Sequence, residues 1–364
     1  MKAAVLYERG TPLKVEEIEI LEPRQGEVLV RLGASGVCHS DLHVVNGQIP
    51  SPLPIILGHE AAGTVERVGE GVTVVKPGDH VVLSFMPSCG LCRYCTTGRP
   101  HLCDVGARST AAGTLFDGTV RFRKGDQEIK HMSGVASFGQ YTVANQESCI
   151  PIREDVPFDR ACLVGCGVMT GVGAVINTAK VEPGSSVVVI GAGGVGLNVI
   201  QGAVLAGAEK IIAVDMLDNK LEMAQQFGAT HVINAGREDP ARSVRRLTGG
   251  GADYAFEVIG NVKTIRQAYD AVQRGGTAVV VGVAAVGAEV GLPAFSLPMM
   301  EKTLKGSFYG STRPRVDMPK LIDLYLAGKL KLDELITRTI PLDAVNEAFG
   351  AMERGEVARS VIVY

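Results

Sequence analysis

The chain has 364 residues, which is long for a single hydrophobic core and suits two domains. Its 36 basic and 39 acidic residues give a formal net charge of -3 and are spread along the chain. Neither a basic patch nor an acidic tail therefore points to nucleic acid or lipid headgroups, and a small molecule is the expected partner.

The N-terminal segment lacks the apolar run of a signal peptide, and no 18 consecutive apolar residues lack a charge or a turn signal. We therefore expect a soluble, cytoplasmic protein that does not bind a membrane. The eight cysteines are then expected to be reduced thiols or metal ligands rather than disulfides.

Up to about Asp104, short apolar runs alternate with Pro, Gly and Asp. Strands are predicted at 27–32, 63–68 and 80–85, which favours an irregular, mostly antiparallel domain. Residues 105–137 are rich in Gly, Ser, Thr and Arg with little apolar periodicity, so this segment is predicted to be an elaborated loop.

A different pattern begins at Glu182, where a strand, a Gly-rich turn, a helix and a second strand predict a βαβ unit. The alternation continues and predicts a doubly wound parallel sheet of the Rossmann type, in an α/β protein. Strands are predicted at 186–190, 211–214, 231–234, 254–258 and 278–281, and helices at 195–206, 219–227, 241–247 and 264–273.

After about Tyr309, helices at 319–327 and 342–354 and a strand at 360–364 are predicted to rejoin the first domain. The domain hypothesis is therefore a catalytic domain over residues 1–167, completed by 310–364. Residues 168–309 would form the cofactor-binding domain.

Four cysteines lie in one short segment with the spacing C-x2-C-x2-C-x7-C: Cys89, Cys92, Cys95 and Cys103. Thiolates on a tight loop suit the closed tetrahedral shell of a zinc ion, with Zn–S bonds of about 2.3 Å. Two disulfides are the alternative. A closed shell leaves no position for water or substrate, so this zinc is predicted to be structural.

A second set of possible ligands is spread along the chain: Cys38, His59 and Cys166. Together they would leave the fourth position of a zinc ion open for water or an alcohol oxygen, which is the pattern of a catalytic zinc. Taken singly, each residue has an ordinary interpretation, because buried cysteines are small hydrophobes and a lone histidine often caps a turn.

The segment Gly191-Ala192-Gly193-Gly194-Val195-Gly196 fits G-x-G-x-x-G and directly follows a predicted strand. Such glycines open a helix whose free amides can hold a pyrophosphate, although a turn without a ligand is the alternative. Asp215 closes the next strand, where it can accept both ribose hydroxyls and would repel a 2′-phosphate, so NAD is favoured over NADP.

The pattern Gly58-His59-Glu60-x2-Gly63-x5-Gly69-x2-Val72 resembles the zinc signature of the medium-chain zinc-containing alcohol dehydrogenases. The resemblance covers essentially the whole chain, and the length after Cys103 is similar to the animal-type and formaldehyde dehydrogenase branch. It implies a GroES-like, mostly-β catalytic domain, a Rossmann domain, NAD and two zinc ions per chain, the catalytic one on Cys38, His59 and Cys166.

The same resemblance implies oxidation of primary medium-chain or aromatic alcohols to aldehydes, and the reverse, by hydride transfer from a zinc-held alkoxide to nicotinamide. Ser40, the nicotinamide ribose and His43 resemble the proton relay of the family, with His43 as terminal base. Glu60 would be a carboxylate beside the metal, and Asp41 would orient His59. A hydrogen-bonded loop pair and an N-cap are the alternatives for the relay and for Asp41.

The resemblance also places residues at the cofactor and in the substrate pocket. The cofactor set is His39, Thr170, Gly191, Gly193, Gly194, Val195, Gly196, Asp215, Lys220, Val283 and Arg359, with Lys220 at the adenosine ribose and Arg359 at the pyrophosphate. The pocket set is Ile49, Phe85, Met132, Ser133, Val283 and Phe308. Ordinary core is the alternative for each apolar residue, and a solvated surface charge is the alternative for Lys220 and Arg359.

One departure from the family pattern concerns the cofactor. His39 stands where many relatives carry an arginine on the pyrophosphate, and histidine is only partly charged near neutral pH, so we expect weaker NAD binding and faster NADH release at alkaline pH. The variant His39→Arg should therefore bind NADH more tightly in a fluorescence titration. Unchanged NADH affinity would contradict this expectation.

A second departure concerns the substrate. Ile49 and Ala107 stand where the glutathione-dependent branch has an acidic residue and an arginine, which argues against the glutathione adduct, while the neighbouring Arg108 leaves other thiol adducts open. A thiol-adduct formaldehyde dehydrogenase, or a dismutase that retains NAD, is one alternative function. A non-catalytic zinc-binding relative is another, but such a protein would not need an open metal site. A homodimer or homotetramer formed through residues 303–307 is expected from the resemblance.

Overall fold

The computed structural model describes residues 1–364, which divide into one unit of residues 1–167 with 313–364 and a second of residues 168–312. In chain order, strands β1 to β19 are Lys2–Leu6, Lys14–Glu17, Glu19–Ile20, Glu27–Val37, Ile55–Ile56, Glu60–Val68, His80–Leu83, Phe122–Lys124, Gln127–His131, Tyr141–Asn145, Cys149–Pro151, Ser186–Ile190, Lys210–Asp215, His231–Asn234, Ala252–Glu257, Val272–Val280, Thr303–Gly306, Ile336–Ile340 and Arg359–Val363.

Helices α1 to α12 are His39–Val45, Arg93–Thr96, Asp104–Ala112, Phe158–Leu163, Met169–Gly173, Gly194–Leu205, Asp218–Gln226, Pro240–Thr248, Val262–Ala271, Ser296–Met300, Pro314–Leu326 and Val345–Glu353. Short 3-10 turns are Pro100–Leu102, Met132–Gly134, Gln146–Ser148, Tyr309–Ser311 and Leu342–Ala344. Two π-helical turns, Val164–Val168 and Ala174–Ala179, flank α5.

The first unit is built around the long strand β4. One sheet runs β11-β7-β6-β4-β19-β18, with β10 also on β4, and a second sheet runs β2-β1-β5-β9-β8-β3. Most strand pairs are antiparallel, and β19 pairs with β4 so that Val361 lies opposite Gly36. The predicted mostly-β domain is therefore confirmed. The C-terminal end of β4 lies directly before Cys38, one of the predicted metal ligands.

The second unit contains a six-stranded sheet in the order β14-β13-β12-β15-β16-β17, in which every pair is parallel. Its middle strand β12 buries Val187, Val188 and Val189 completely, which is expected of a parallel strand covered on both faces. The predicted doubly wound sheet is confirmed, and α6 follows β12 directly at the glycine turn.

The prediction that residues 105–137 form an irregular loop was wrong. This segment holds α3 and the hairpin of β8 and β9. The N-cap of helix α3 is Cys103, whose sulfur accepts a hydrogen bond from the amide of Gly106. Cysteine is not one of the usual N-cap residues, so the sequence did not indicate the start of this helix. Helix α11 also begins earlier than predicted, at Pro314, because proline suits the first helical turn, and Pro319 lies inside it.

A continuous helical stretch over residues 158–179 was not predicted. It combines α4, α5 and the two π-helical turns, and by length and composition alone it could cross a membrane. However, 83% of its most apolar window is buried inside the protein, which is the ordinary position of a core helix. The first π-helical turn carries Cys166, in keeping with the frequent occurrence of such turns at functional sites.

A buried ionic network joins the β8–β9 hairpin to β4. Arg121 is fully buried and donates to both carboxylate oxygens of Glu27 at 2.7 and 2.5 Å. It also donates to Asp117 at 2.7 Å, and its backbone amide donates to Nε2 of His131 at 3.0 Å. Because a buried charge needs compensation, these contacts fix the hairpin on the sheet.

The variant His131→Gln should make the protein less sensitive to acid. Burial, together with the charges of Arg121 and Lys130, lowers the pKa of His131 from 6.5 to about 3. Above pH 6.5 this histidine is neutral in both the folded and the unfolded chain. As the pH falls from 6.5 toward 3, the unfolded chain binds a proton that the folded protein does not, so the free energy of unfolding decreases.

Between about pH 8 and about pH 5, the unfolding free energy of the unsubstituted protein should fall about 2 kcal/mol more than that of His131→Gln. The glutamine oxygen can still accept the amide of Arg121, so the comparison isolates the titration. Urea unfolding at the two pH values measures the difference, and equal losses would contradict the role of His131.

Candidate metal and cofactor sites

Three predicted metal ligands and one carboxylate converge in the first unit. The ligand atoms of Cys38, His59, Glu60 and Cys166 all lie within 4.8 Å of one another, and all four residues are buried. Cys38 follows the end of β4, His59 precedes β6, and Cys166 lies on the π-helical turn. Since β4 and β6 pair with Gly36 opposite Glu60, sheet register brings the first two ligands together.

Asp41 organises this cluster. Its Oδ1 accepts from Nδ1 of His59 at 2.9 Å and from the amide of Gly58 at 3.2 Å, and its Oδ2 accepts from the amide of Cys38 at 2.9 Å. The same side chain therefore orients His59, as the resemblance implied. The alternative that Asp41 is an N-cap was wrong, because Cys38 is the N-cap of α1 and Asp41 is the third helical residue, whose side chain completes the capping box.

The cluster fits a metal ion. With Nδ1 of His59 donating to Asp41, Nε2 carries the lone pair, and it is buried without a hydrogen-bond partner. Two sulfurs lie beside this nitrogen, and soft thiolates with one imidazole are a ligand set that zinc favours. The carboxylate of Glu60 lies in the same cluster, where it could act as a fourth ligand or give way to one.

The thiol groups of Cys38 and Cys166 are close enough to be hydrogen-bonded to each other. The hydrogen bond from Cys166 lowers the pKa of Cys38 well below its ordinary value against the effect of burial, and the charge of Arg359 lowers it further. The same hydrogen bond and burial raise the pKa of Cys166. One thiolate is thus available to a cation at neutral pH.

Glu60 and Arg359 form a buried pair next to these ligands. Oε1 of Glu60 accepts the amide of Gly167 at 3.1 Å and lies 3.3 Å from Nη2 of Arg359. Burial raises the pKa of Glu60 to about 7, although Arg359 acts in the opposite direction. Added Cβ atoms at Gly36 and Gly167 would come within 2.2 Å of Glu60 and of Arg359 respectively, so both glycines leave space for this pair.

The surface-charge alternative for Arg359 was wrong, because the residue is only 5% exposed. Its guanidinium faces Glu60 and donates to the carbonyl of Val37. Sequence reasoning missed this contact, since nothing local signals a partner so far away in the chain. The role of Arg359 at a pyrophosphate stays a prediction.

The predicted relay residues lie on the first turns of α1. Oγ of Ser40 is 3.9 Å from the sulfur of Cys38, and His43 is half-buried at the end of the same helix. Burial lowers the pKa of His43, against the charge of Cys38, so its imidazole is neutral and can accept a proton near neutral pH. His39 is exposed, and its ring lies 6.3 Å from that of His43.

The four-cysteine lobe also converges. The sulfurs of Cys89, Cys92, Cys95 and Cys103 lie within 4.8 Å of one another, and all eight cysteines of the chain are free, so no disulfide is formed. Backbone amides point at the sulfurs, for example Cys89 at Cys103 over 3.2 Å and Cys92 at Cys89 over 3.4 Å. Donors of this kind stabilise thiolates, which suits a closed metal shell.

In the second unit, the glycine turn has the shape that a phosphate requires. An added Cβ at Gly196 would lie 1.9 Å from the carbonyl oxygen of Gly191, so the turn and α6 pack closely there. By contrast, nothing lies within 4 Å of such an atom at Gly193, the N-cap of α6. The opening beside the free amides of Gly194 and Val195 fits a pyrophosphate.

Asp215 ends β13 next to this turn. Its carboxylate accepts from the amides of Ala192 and Met216 at 2.8 Å each and from Leu217 at 3.2 Å, which fixes its orientation. The side chain is half-exposed, so its remaining lone pairs are open to ribose hydroxyls. Lys220 and Thr170, also predicted at the cofactor, are half-buried in the same unit.

The residues predicted to line the substrate pocket differ in their burial and in the unit to which they belong. Phe85 is half-buried, packs against a core cluster of the first unit, as the ordinary-core alternative has it, and also lies edge-on to His59 with ring centroids 5.6 Å apart. The ordinary-core alternative describes Met132, which is 7% exposed, and Ile49, which packs on the same core cluster. Ser133 is half-buried, whereas Val283 and Phe308 lie in the second unit and are 53% and 46% exposed.

Comparison with known proteins gives concordant matches. The family described as zinc-binding dehydrogenase matches residues 194–327, and the alcohol dehydrogenase GroES-like domain matches residues 24–154. S-(hydroxymethyl)glutathione dehydrogenase of Paracoccus denitrificans is 45% identical, covering 100% of this chain and 99% of that protein. Alcohol dehydrogenase class-3 of Dictyostelium discoideum is 44% identical over 99% of this chain and 97% of that protein.

Among solved structures, the benzyl alcohol dehydrogenase of Acinetobacter calcoaceticus superimposes with a TM-score of 0.95 and 36% identity, covering 100% of this chain and 98% of that one. The alcohol dehydrogenase TADH of Thermus sp. ATN1 gives a TM-score of 0.86 at 29% identity, with complete coverage of both chains. The similarity therefore extends over both units.

Proposed function

The chain belongs to the zinc-dependent medium-chain alcohol dehydrogenase family, and we propose that it oxidises primary alcohols, medium-chain or aromatic, to aldehydes and catalyses the reverse reduction with NAD. One observation carries the proposal: Nε2 of His59, which has no hydrogen-bond partner, lies with two sulfurs and the Glu60 carboxylate in one buried cluster. When bound, zinc supplies a Lewis acid for the substrate oxygen and NAD a hydride acceptor.

The residues of the chain perform the remaining tasks. Cys38, His59 and Cys166 would hold the metal, and Asp41 keeps the imidazole in one tautomer. The neutral imidazole of His43 accepts the proton that an alcohol loses, with the hydroxyl of Ser40 as the first group of the relay. Asp215 and the open side of Gly193 would hold the dinucleotide.

An aromatic or medium-length apolar substrate is supported by Phe85. Its half-buried ring lies beside the ligand His59, so a substrate oxygen at the metal would have its carbon chain near an apolar wall. The similar protein from Acinetobacter calcoaceticus is a benzyl alcohol dehydrogenase, an enzyme named for an aromatic primary alcohol.

A second candidate is oxidation of a hydroxymethyl thiol adduct, because curated relatives at 45% and 42% identity are named S-(hydroxymethyl)glutathione dehydrogenase. The surroundings of the predicted anchoring positions argue against glutathione itself. Ile49 packs into the core cluster, and Ala107 is an exposed residue on α3 that carries no charge. Arg108, the next residue on the same helix, is exposed and could bind the acidic group of another thiol.

The test is a screen of NADH formation with linear, branched and aromatic alcohols, and with formaldehyde plus glutathione or other low-molecular-weight thiols, together with zinc analysis of the same sample. Turnover of simple primary alcohols with two zinc ions per chain supports the main proposal. Strict dependence of turnover on a thiol would favour the second candidate. No turnover with either class would contradict both.

We further propose a cytoplasmic homodimer, with a homotetramer as the alternative, assembled through strand β17. This strand is the edge of the parallel sheet, and its polar groups are largely exposed. The nearby segment also exposes Phe295 and Met299, 76% and 64% respectively, and such apolar exposure favours an interface. Light scattering at micromolar concentration tests it, and a monomer would exclude this assembly.

A further inference from the structure

The imidazole of His59 needs more than one restraint to present Nε2 in a fixed direction. Its Nδ1 is held by Asp41 at 2.9 Å, and the backbone before it is fixed because Gly58 has φ +89 and no room for a side chain beside Ser137 and Phe138. A hydrogen bond at one ring atom still allows the ring plane to tilt about that atom. A contact on the ring itself is required to prevent this tilt.

Phe85 provides such a contact. The planes of Phe85 and His59 meet at 88° with centroids 5.6 Å apart, which is the T-shaped arrangement that aromatic quadrupoles favour. Pairs of this geometry contribute about 0.5–1.5 kcal/mol beyond the burial of their surfaces. The contact comes from the segment after β7, whereas Asp41 lies on α1, so the imidazole is held from two different elements.

The position of Phe85 is itself fixed on both sides. The amide of Ser84, the preceding residue, donates to the carbonyl of Ser148 at 2.8 Å. Two residues after Phe85, the carbonyl of Pro87 lies so close to Gly106 of α3 that an added Cβ would approach it to 2.1 Å. Phe85 is therefore held between a β-strand contact and the helix that follows the four-cysteine lobe.

We infer that Phe85 is a positioning residue for the metal-binding imidazole of His59, in addition to any contact that it makes with substrate. The inference rests on the proposed function, since it takes Cys38, His59 and Cys166 as the metal ligands. Loss of the ring lets His59 tilt, which weakens one of three protein bonds to the metal. Loss of the Phe85 ring should therefore weaken metal retention as well as substrate affinity.

The experiment measures release of zinc from the fully loaded protein to an excess of a chromogenic chelator, and the visible spectrum of the cobalt-substituted protein. The variant Phe85→Leu should release the metal of the catalytic cluster about three- to tenfold faster and shift the cobalt bands. Phe85→Tyr keeps the ring and should retain the original rate and spectrum. If the leucine variant does not fold, Phe85→Met replaces it in the experiment, and the same changes in metal release and cobalt bands are expected.

Phe158→Leu is the matched control, because Phe158 is also half-buried and its ring lies 4.6 Å from that of His80, a histidine outside both clusters. It should leave both metals and the cobalt spectrum unchanged. If Phe85→Leu changes only the KM for alcohol, with metal release and spectrum as before, Phe85 is a pocket wall alone and the inference fails. A parent protein that holds only the lobe metal would overturn the proposed function itself.

Discussion

Replacing Cys166 with alanine should remove one of the two metals and lower alcohol turnover about a thousandfold or more. Two protein ligands hold zinc poorly, and loss of a Lewis acid removes several kcal/mol of stabilisation of the negative charge that develops on the substrate oxygen. Cys166 is 7% exposed, and its sulfur lies within 4.8 Å of the other ligand atoms, so the substitution removes one of the two sulfurs of the cluster. Metal analysis and NADH absorbance measure the two effects together.

Cys149→Ala is the control for this variant. Cys149 is also buried, lies on β11 in the core of the same unit, and belongs to neither cysteine cluster. Its replacement should keep two metals and leave turnover within about twofold, since a buried cysteine outside a metal site acts as a small hydrophobe. A Cys166→Ala protein that still turned over at the original rate would contradict the assignment of the catalytic cluster.

Replacing Arg121 with methionine should lower the free energy of unfolding by about 3–5 kcal/mol. The change leaves the carboxylate of Glu27, which is 2% exposed, without its two hydrogen bonds to the guanidinium. Removal of one partner from a buried ion pair costs this much because the other charge stays buried and uncompensated. Urea unfolding of the zinc-loaded protein measures the loss.

The double variant Glu27→Leu with Arg121→Met provides the control. Replacing both charges with apolar groups removes the uncompensated carboxylate, so much of the stability should return. Asp117 is 37% exposed and can be solvated once Arg121 is gone. A double variant as unstable as Arg121→Met alone would mean that the network acts through shape rather than through charge.

Local signals explain why the second unit could be predicted from sequence. The buried run over β12, the glycine turn and the helix after it lie within 20 residues, and the structure places β12 at Ser186–Ile190, as predicted. The strands from β13 to β16 are similarly marked by apolar runs, whereas β17, with the sequence Thr-Leu-Lys-Gly, has none. Parallel order follows because a helix separates successive strands.

Residues 105–137 could not be predicted because distant contacts decide their structure. Helix α3 is capped by a cysteine that the lobe holds, and the following hairpin depends on Arg121 and Glu27, which are 94 residues apart in the chain. Neither contact can be inferred from residue propensity or from hydrophobic periodicity, because both measures use only neighbouring residues. The same limit applies to the catalytic cluster, where family resemblance named Cys38, His59 and Cys166 but nothing in the spacing indicated the contact between Glu60 and Arg359.

The position of β19 in the sheet has a consequence for biosynthesis. This strand lies between β4 and β18, and Arg359 at its first position meets Glu60 beside the ligands. A ribosome must therefore translate residues 168–312 before β19 can pair with the C-terminal part of β4, from Ala34 to Val37. Until then this part of β4 has an open strand edge in the nascent chain, and we expect it to need protection from aggregation during that interval.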